Sequence, residues 1–318
     1  MPTILLDKEV VRQLLNMPDV IRVVEQAFRD WAAGKGTMPV KAYLVLDQGD
    51  FRAMPAALPG AAGVKWVSVH PQNLSRGLPT VMAIIIYNDP QTGYPLALMD
   101  ATDITAYRTG AAAAIASKYL ARSDSHTLGI IGAGRQAYTQ ILAHAELFDL
   151  REIRVFDLAK TAVEKLVSSF PQYPLKECPL DETATSDIVC TLTPSGTPFL
   201  KNNWILSGTH INAVGADAEG KQELEPSILN RAIVVVDDLR QASTAGEINI
   251  PVRQGLFRID DVYGTLGEII AGKKQGREDR NAITVFDSTG VAIEDIAVAK
   301  LIYEKAKEVG KYVSMDIV

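Results

Sequence analysis

Two spacings of apolar residues divide the chain, and the places where one gives way to the other outline its organisation. Near the start the spacing is helical. After Leu5-Leu6-Asp7 an amphipathic helix is predicted over residues 8–15, and Asn16-Met17-Pro18 breaks it. A second helix over 19–33 then carries Val20, Val23, Val24, Ala27, Phe28 and Trp31 on one face. From Val40 the period becomes two, giving strands over 40–46, 51–54, 64–69 and 80–87. Pro55, Pro59-Gly60, Pro71, Asp89-Pro90 and Thr92-Gly93 are read as the turns between them. An antiparallel sheet with helices to one side follows from this stretch.

The pattern changes again near residue 103. Asp103 is a plausible N-cap for a long helix over 103–121, whose run Gly110-Ala111-Ala112-Ala113-Ala114 lets its backbone lie close to a neighbour, as a connector between domains would. Short, continuously apolar segments then recur at 128–131, 153–156, 188–190, 210–214, 233–236 and 283–286, separated by helical patterns. Buried strands alternating with helices predict a doubly wound parallel sheet of Rossmann type. The last helix, 294–310, has Ile296, Ala299, Ile302, Tyr303 and Ala306 on one side and returns to the first domain. The expected architecture is therefore α/β: a smaller α+β domain over 1–113, joined by a C-terminal helix over 293–318, and a Rossmann domain over 114–292.

At the first strand of that second half, Leu128, Ile130 and Ile131 lead directly into Gly132-Ala133-Gly134-Arg135-Gln136-Ala137, a G-x-G-x-x-[GA] turn. Gly132 permits the tight turn, Gly134 lets the backbone approach a pyrophosphate, and Ala137 lets the helix lie against the strand. The helix N-terminus offers N–H groups and a positive dipole end to phosphates. Such hexamers also arise from packing alone. Here a helix and the strand Ile153-Arg154-Val155-Phe156 follow in register, closed by Asp157, where the fingerprint places an acid for the ribose hydroxyls. The combination predicts a dinucleotide site.

Composition narrows the partners. The chain has 318 residues, 47% of them hydrophobic, and a formal net charge of −6, so it presents no basic field for nucleic acid. No uninterrupted apolar run approaches membrane-spanning length, and the start M-P-T-I-L-L-D-K-E lacks a signal peptide's pattern, so no membrane association and a cytoplasmic location are expected. Cys178 and Cys190 are expected to be reduced thiols in or beside a core. His70, His126, His144 and His210 show no metal-ligand spacing, so no metal is expected and ordinary core or surface roles are favoured.

Cations stand out where the neighbours are apolar. Lys65 lies within Gly63-Val64-Lys65-Trp66-Val67, Arg52 between Phe51 and Met54, and Arg108 in the small-residue helix. A buried charge needs a partner, and a substrate carboxylate would serve; solvent-facing positions or internal salt bridges would serve equally. Asp217, on the loop after the strand ending at Val214, is a candidate proton acceptor or donor, or else a solvated loop acid or a cap. Glu219-Gly220-Lys221 reads most simply as solvated loop charge.

Seven motifs in one order give the chain a resemblance to the ornithine cyclodeaminase/μ-crystallin family, and within it to the archaeal-type alanine dehydrogenase branch. They are Arg52-Ala53-Met54-Pro55, Gly63-Val64-Lys65-Trp66-Val67, Gly77-Leu78-Pro79-Thr80-Val81, Ala106-Tyr107-Arg108-Thr109-Gly110-Ala111, the turn Gly132 to Ala137, Asn212 to Leu224, and Asp287 to Gly290. The resemblance implies a homodimer formed through the first domain and the final helix. It implies that Arg52, Lys65 and Arg108 surround the substrate carboxylate, that Lys65 takes part in proton transfer, and that Asp217 is the acid/base or water-orienting carboxylate. Thr109, Arg135, Gln136, Thr191, Val214, Ser288 and Gly290 match the family's cofactor contacts, beside Gly132, Gly134, Ala137 and Asp157.

One departure bears on the reaction. Cyclodeaminases carry a glutamate where this chain has Arg52, and a cation there repels a second ammonium group. Asp157 followed by Leu158-Ala159, with no arginine beside it, disfavours a 2′-phosphate and argues for NAD, with Lys160 the cation that counts the other way. The expected activity is reversible, NAD-dependent oxidative deamination of a small L-amino acid, alanine first, to its keto acid and ammonia. Cyclic ketimine reduction is second and ornithine deamination third; a binding protein without turnover is the non-enzyme alternative.

Overall fold

The stretch Asn16-Met17-Pro18 separates two helices, as expected, but Met17 and Pro18 already belong to the second. Helix α1 (Lys8–Leu14) is capped by Asp7, whose carboxylate accepts from the Val10 N–H at 2.9 Å. Helix α2 (Met17–Ala32) is capped by Asn16, which accepts from the Asp19 N–H at 3.2 Å. Pro18 sits in the first turn of α2, where its missing N–H would have had no intrahelical partner.

The computed structural model describes residues 2–318. Around these helices the first half forms strands β1 (Thr3–Leu6), β2 (Ala42–Leu46), β3 (Gly49–Leu58), β4 (Ala61–Val69), β5 (Val81–Asn88) and β6 (Pro95–Asp100), then α3 (Thr102–Leu120). The βα alternation runs β7 (Thr127–Ile131), α4 (Arg135–Leu147), β8 (Glu152–Phe156), α5 (Lys160–Ser169), β9 (Leu175–Glu177), α6 (Leu180–Ala184), β10 (Ile188–Thr191) and β11 (His210–Ala213). It continues through α7 (Pro226–Leu229), β12 (Ala232–Val236), α8 (Leu239–Ala245), α9 (Asn249–Arg253), β13 (Gly264–Thr265), α10 (Leu266–Ile270) and β14 (Ile283–Asp287), and the chain closes with α11 (Ala292–Val309) and β15 (Val313–Met315). Residues up to Arg108 with Val291–Val318 make one compact unit, and Thr109–Gly290 make the other.

The first unit holds a seven-stranded sheet in the order β15-β1-β6-β5-β4-β3-β2, antiparallel except where β1 runs parallel to β6. Helix α11 packs on α2 and across β3, β4 and β5. Strand alternation buries Met54, Ala56, Val67, Ala83, Ile85, Ala97 and Met99. On the alternate positions Trp66, Ile84 and Ile86 remain exposed. Pro55 is not a turn: it lies inside β3 opposite Val64. Strand β2 pairs with β3 only as far as Ala53, so the absent N–H of Pro55 interrupts no ladder. Asp103 is not the cap of α3 either; the Thr102 N–H donates to the Asp100 carboxylate at 3.1 Å, and Asp103 binds Arg12 at 3.2 Å.

The second unit is an eight-stranded sheet in the order β13-β12-β14-β11-β10-β7-β8-β9, every pair parallel. Successive strand residues enter opposite cores: Leu128, Ile130 and Ile188 with Ile141, Ile153 and Val163 on one face, Ile131 and Val189 with Ile211, Val234 and Val285 on the other. This is the doubly wound arrangement. The small-residue run of α3 serves close approach, since a Cβ on Gly110 would stand 2.5 Å from the Thr139 carbonyl oxygen of α4. His144 and His210 are core residues, linked through Ser117 and Asn212. Burial pushes their pKa values down to about 4 and about 3, and both rings are neutral at physiological pH. Cys178 and Cys190 are free thiols, both buried. No described helix is long and apolar enough to cross a membrane.

Candidate functional site

In the second unit the chain order reverses between β7 and β10, the switch point at which open α/β sheets bind ligands. The glycine turn leaves β7 there. Gly132 has φ +105°, and a Cβ would stand 3.2 Å from the Leu192 carbonyl group, so both conformation and space demand glycine. Gly134 differs: nothing lies within 4 Å of the position its Cβ would take. It opens α4 without a side-chain cap, at the positive end of the helix dipole. The Asp157 carboxylate reaches back from the end of β8, accepting from the Ala133 N–H at 2.7 Å and the Ala159 N–H at 2.8 Å. An open glycine at an uncapped thirteen-residue helix, with an acid fixed beside it, fits a dinucleotide's pyrophosphate and ribose.

The other matched positions cluster at the carboxyl edge of the same sheet. Thr191 ends β10, Val214 follows β11, and Ser288 and Gly290 follow β14. Thr109 lies buried in α3, beside the close contact at Gly110. What fixes these loops is a set of buried acids that periodicity did not reveal. Glu223 accepts from the Thr191 hydroxyl (2.6 Å), the Thr193 N–H (2.7 Å) and hydroxyl (2.6 Å), and the Gly215 N–H (2.9 Å). Glu247 accepts from the Glu223 and Leu224 N–H groups, and Asp287 from those of Glu247 and Ile248. Asp237 accepts from the Thr289 and Gly290 N–H groups. Burial raises the pKa of Glu223 against its four donors, and that of Glu247 further, with Glu223 beside it.

Asp217 lies on the loop bounded by Gly215 and Glu223, half-buried, with the Lys221 ammonium 2.5 Å from its carboxylate. Lys221 is thus the acid's partner rather than an independent solvated charge. The spacing of four was the available signal.

In the first unit Arg52 and Lys65 point to the covered face of the sheet. Both are buried, and Met54, two residues from Arg52 on that face, is the register partner of Lys65. Each cation has an acid from the chain itself. Lys65 Nζ lies 2.7 Å from Asp295 Oδ2, Arg108 Nε 3.0 Å from Asp295 Oδ1, and Arg108 Nη1 2.7 Å from Glu294 Oε2. Arg52 is held by Asp50 at 2.6 Å and lies over the Tyr43 ring, which a further buried cation, Lys41, also approaches. Burial and Arg108 push Lys65 down to about 7 against the pull of Asp295 and Glu294. For Arg108 the same two acids more than offset desolvation and raise its pKa. Lys41, Asp50, Glu294 and Asp295 were not singled out by the sequence reading. Among the described residues no cluster of histidine, cysteine and carboxylate side chains is arranged to hold a metal ion.

A wholly parallel doubly wound sheet with this turn at its switch point defines the class of Rossmann dinucleotide-binding folds. Within that class the chain belongs to the ornithine cyclodeaminase/mu-crystallin family, whose model matches residues 1–310. It is 51% identical over 314 residues to the alanine dehydrogenase of Archaeoglobus fulgidus, covering 98% of both chains. A solved archaeal alanine dehydrogenase dimer with bound NAD superposes with a TM-score of 0.98 at 49% identity, over 100% of both chains. The Thermococcus litoralis Δ1-pyrroline-2-carboxylate reductase, solved with NADH and L-proline, superposes with a TM-score of 0.94 at 39% identity, covering 99% of this chain and 100% of that one.

Proposed function

We propose that the protein is an NAD-dependent dehydrogenase of small L-amino acids, with alanine and pyruvate the first-choice pair, acting as a homodimer. The observation that carries this reading is the placement of Arg52 and Lys65 on one buried sheet face, with Arg108 joined to Lys65 through Asp295. That placement supports a cationic site for one carboxylate, in a chain about half identical to an alanine dehydrogenase along nearly its full length. A cation at residue 52 disfavours a substrate with a second ammonium group.

The overall reaction takes L-alanine, NAD⁺ and water to pyruvate, ammonium, NADH and a proton. Bound NAD supplies the acceptor for the hydride that leaves Cα. The chain's residues supply position and proton handling: Arg52, Lys65 and Arg108 hold the carboxylate. Asp217 takes a proton from the water that adds to the resulting iminium carbon. The turn at Gly132–Ala137 with Thr109, Thr191, Val214, Ser288 and Gly290 holds the cofactor. Asp157, fixed by two backbone N–H groups, accepts from ribose hydroxyls and repels a 2′-phosphate, which supports NAD over NADP. The exposed apolar positions Trp66, Ile84 and Ile86 support a subunit interface on the uncovered sheet face.

A second reading, reduction of a cyclic imine-2-carboxylate, is favoured by the likeness to the Thermococcus litoralis reductase. It requires the same carboxylate site and differs in the substrate side chain that must be accommodated beside it. Following NADH absorbance with ammonia plus a panel of keto acids, beside a panel of ring imines, separates the two. Turnover of pyruvate with ammonia is expected; turnover of ring imines alone would replace the first reading with the second.

A further inference from the structure

The two acids that open α11 have the ordinary explanation that helix N-termini favour carboxylates. Their surroundings exceed it. Glu294 and Asp295 are fully buried, and both face cations that lie more than 180 residues away in sequence. A buried carboxylate is costly unless paired, and Asp295 is paired twice: Oδ2 with the Lys65 ammonium on β4, Oδ1 with the Arg108 guanidinium on α3. A single planar group therefore sets the distance and relative orientation of two side chains from separate elements. Glu294 adds a second anchor on the guanidinium at Nη1.

We propose that Asp295 is a positioning residue for the dehydrogenase reaction, holding the Lys65 ammonium and the Arg108 guanidinium in one fixed arrangement toward the substrate carboxylate and opposing the loss of charge that burial imposes on Lys65. The inference rests on the functional reading above. Its electrostatic half follows from the groups that face Lys65: Asp295 and Glu294 from α11, Arg108 from α3, and Arg52 on β3, two residues from the register partner of Lys65. Strand β5, on the other side of β4, presents Ile85 to it. Burial and Arg108 favour the neutral amine and the two acids favour the ammonium; the balance lies at about 7. Removing the acid that touches Lys65 tips that balance toward the amine. A substrate carboxylate then meets a neutral group at neutral pH, and a guanidinium left with Glu294 as its charged anchor.

The test is Asp295→Asn, which keeps shape and loses charge, studied on the full-length enzyme with saturating NADH and ammonia. In the parent, kcat/KM for pyruvate in the aminating direction should fall as pH rises through about 7. In the variant that fall should move to lower pH by roughly one unit or more, with KM for pyruvate raised roughly tenfold or more, kcat changed less, and NADH affinity unchanged. Asp295→Glu should return most of the pH profile. Glu294→Gln, which leaves the Lys65 contact intact, should raise KM with a smaller displacement of the profile.

A second readout needs no substrate. The titration of Lys65, followed by NMR of ¹³Cε-labelled lysine and assigned with Lys65→Met, should also move to lower pH in Asp295→Asn. A folded variant with both the profile and the Lys65 titration unmoved overturns the proposal. A displaced Lys65 titration in a protein that turns over neither keto acids nor ring imines supports the coupling and overturns the function it was assigned to serve.

Discussion

Glu223 offers the sharpest stability test, because its four donors define what each replacement loses. In Glu223→Gln one oxygen becomes an NH₂ group. If that group takes the place of Oε2, the Gly215 N–H loses an acceptor but keeps the Thr191 carbonyl at 3.0 Å, and the Thr191 hydroxyl can turn to accept. If it takes the place of Oε1, the Thr193 N–H is left facing a donor. The first orientation is the cheaper, and its cost is a weakened bond to Gly215 plus conversion of charge-assisted bonds to neutral ones, partly offset by no longer burying a charge. That amounts to about 1–3 kcal/mol. Glu223→Ala has no such escape: the Thr193 N–H loses its acceptor and a cavity opens, adding roughly 2–4 kcal/mol.

At roughly 2–4 °C per kcal/mol for a unit of this size, the glutamine variant should melt several degrees below the parent and the alanine variant well below that. The pH dependence has a definite sign. Burial raises the Glu223 pKa in the folded state, so its contribution is fully present below the unfolded value and is lost as pH rises through the folded one. The glutamine variant lacks this term, so the gap between parent and variant should widen toward acid. Scanning calorimetry across pH with NADH titrations tests both points. Equal melting of parent and glutamine variant, or a gap that narrows toward acid, would refute the account of Glu223 as the group that staples the loop bearing Asp217 to the end of β10.

The glycine turn predicts a contrast: Gly132→Ala should lower the melting temperature, since it forces a side chain to φ +105° against the Leu192 carbonyl. Gly134→Ala should leave melting unchanged and weaken NADH binding at least roughly tenfold, because only a ligand meets the added methyl; fluorescence titration and melting curves score the pair. Asp157→Ser should raise the NADPH to NADH ratio of kcat/KM at least roughly tenfold, the repelling charge being gone, and an unchanged ratio counts against Asp157 as the selector. Ile86→Glu, on the uncovered face of the first sheet, should shift sedimentation from dimer to monomer while the monomer keeps its circular dichroism; a dimer of unchanged stability places the interface elsewhere.

The parallel sheet was legible because strands buried on both faces read as short apolar runs, and β7, β10 and β14 do so whatever packs on them. The first sheet was legible through its alternation, up to the point where local chemistry misleads. Pro55 signals a turn, yet an unpaired strand side accommodates it. The site was legible unevenly. Arg52, Lys65 and Arg108 attract notice because a cation among apolar residues is improbable. Glu294 and Asp295 do not, because acids at a helix start are ordinary and only the folded chain brings them to their partners. Glu223, Glu247 and Asp287 look like loop polarity until their donors, mostly backbone N–H groups, are counted, and backbone donors have no sequence signature.

The cations also change what a buried charge implies. From sequence, Lys65 and Arg108 pose a desolvation problem that a substrate anion could solve. In the fold the problem is solved before any substrate arrives: Asp295 and Glu294 balance the two charges within the first unit. Two buried cations awaiting a ligand would repel one another, and Lys65, the one able to shed its proton, would shed it, leaving less to bind with. The internal acids remove that instability and hold the donors fixed, so the reorganisation that binding would require is met once, in folding. If these cations bind the substrate as proposed, an anionic substrate adds to a preformed array rather than completing a half-made one. Its affinity should accordingly depend on the acids behind the cations as well as on the cations it touches.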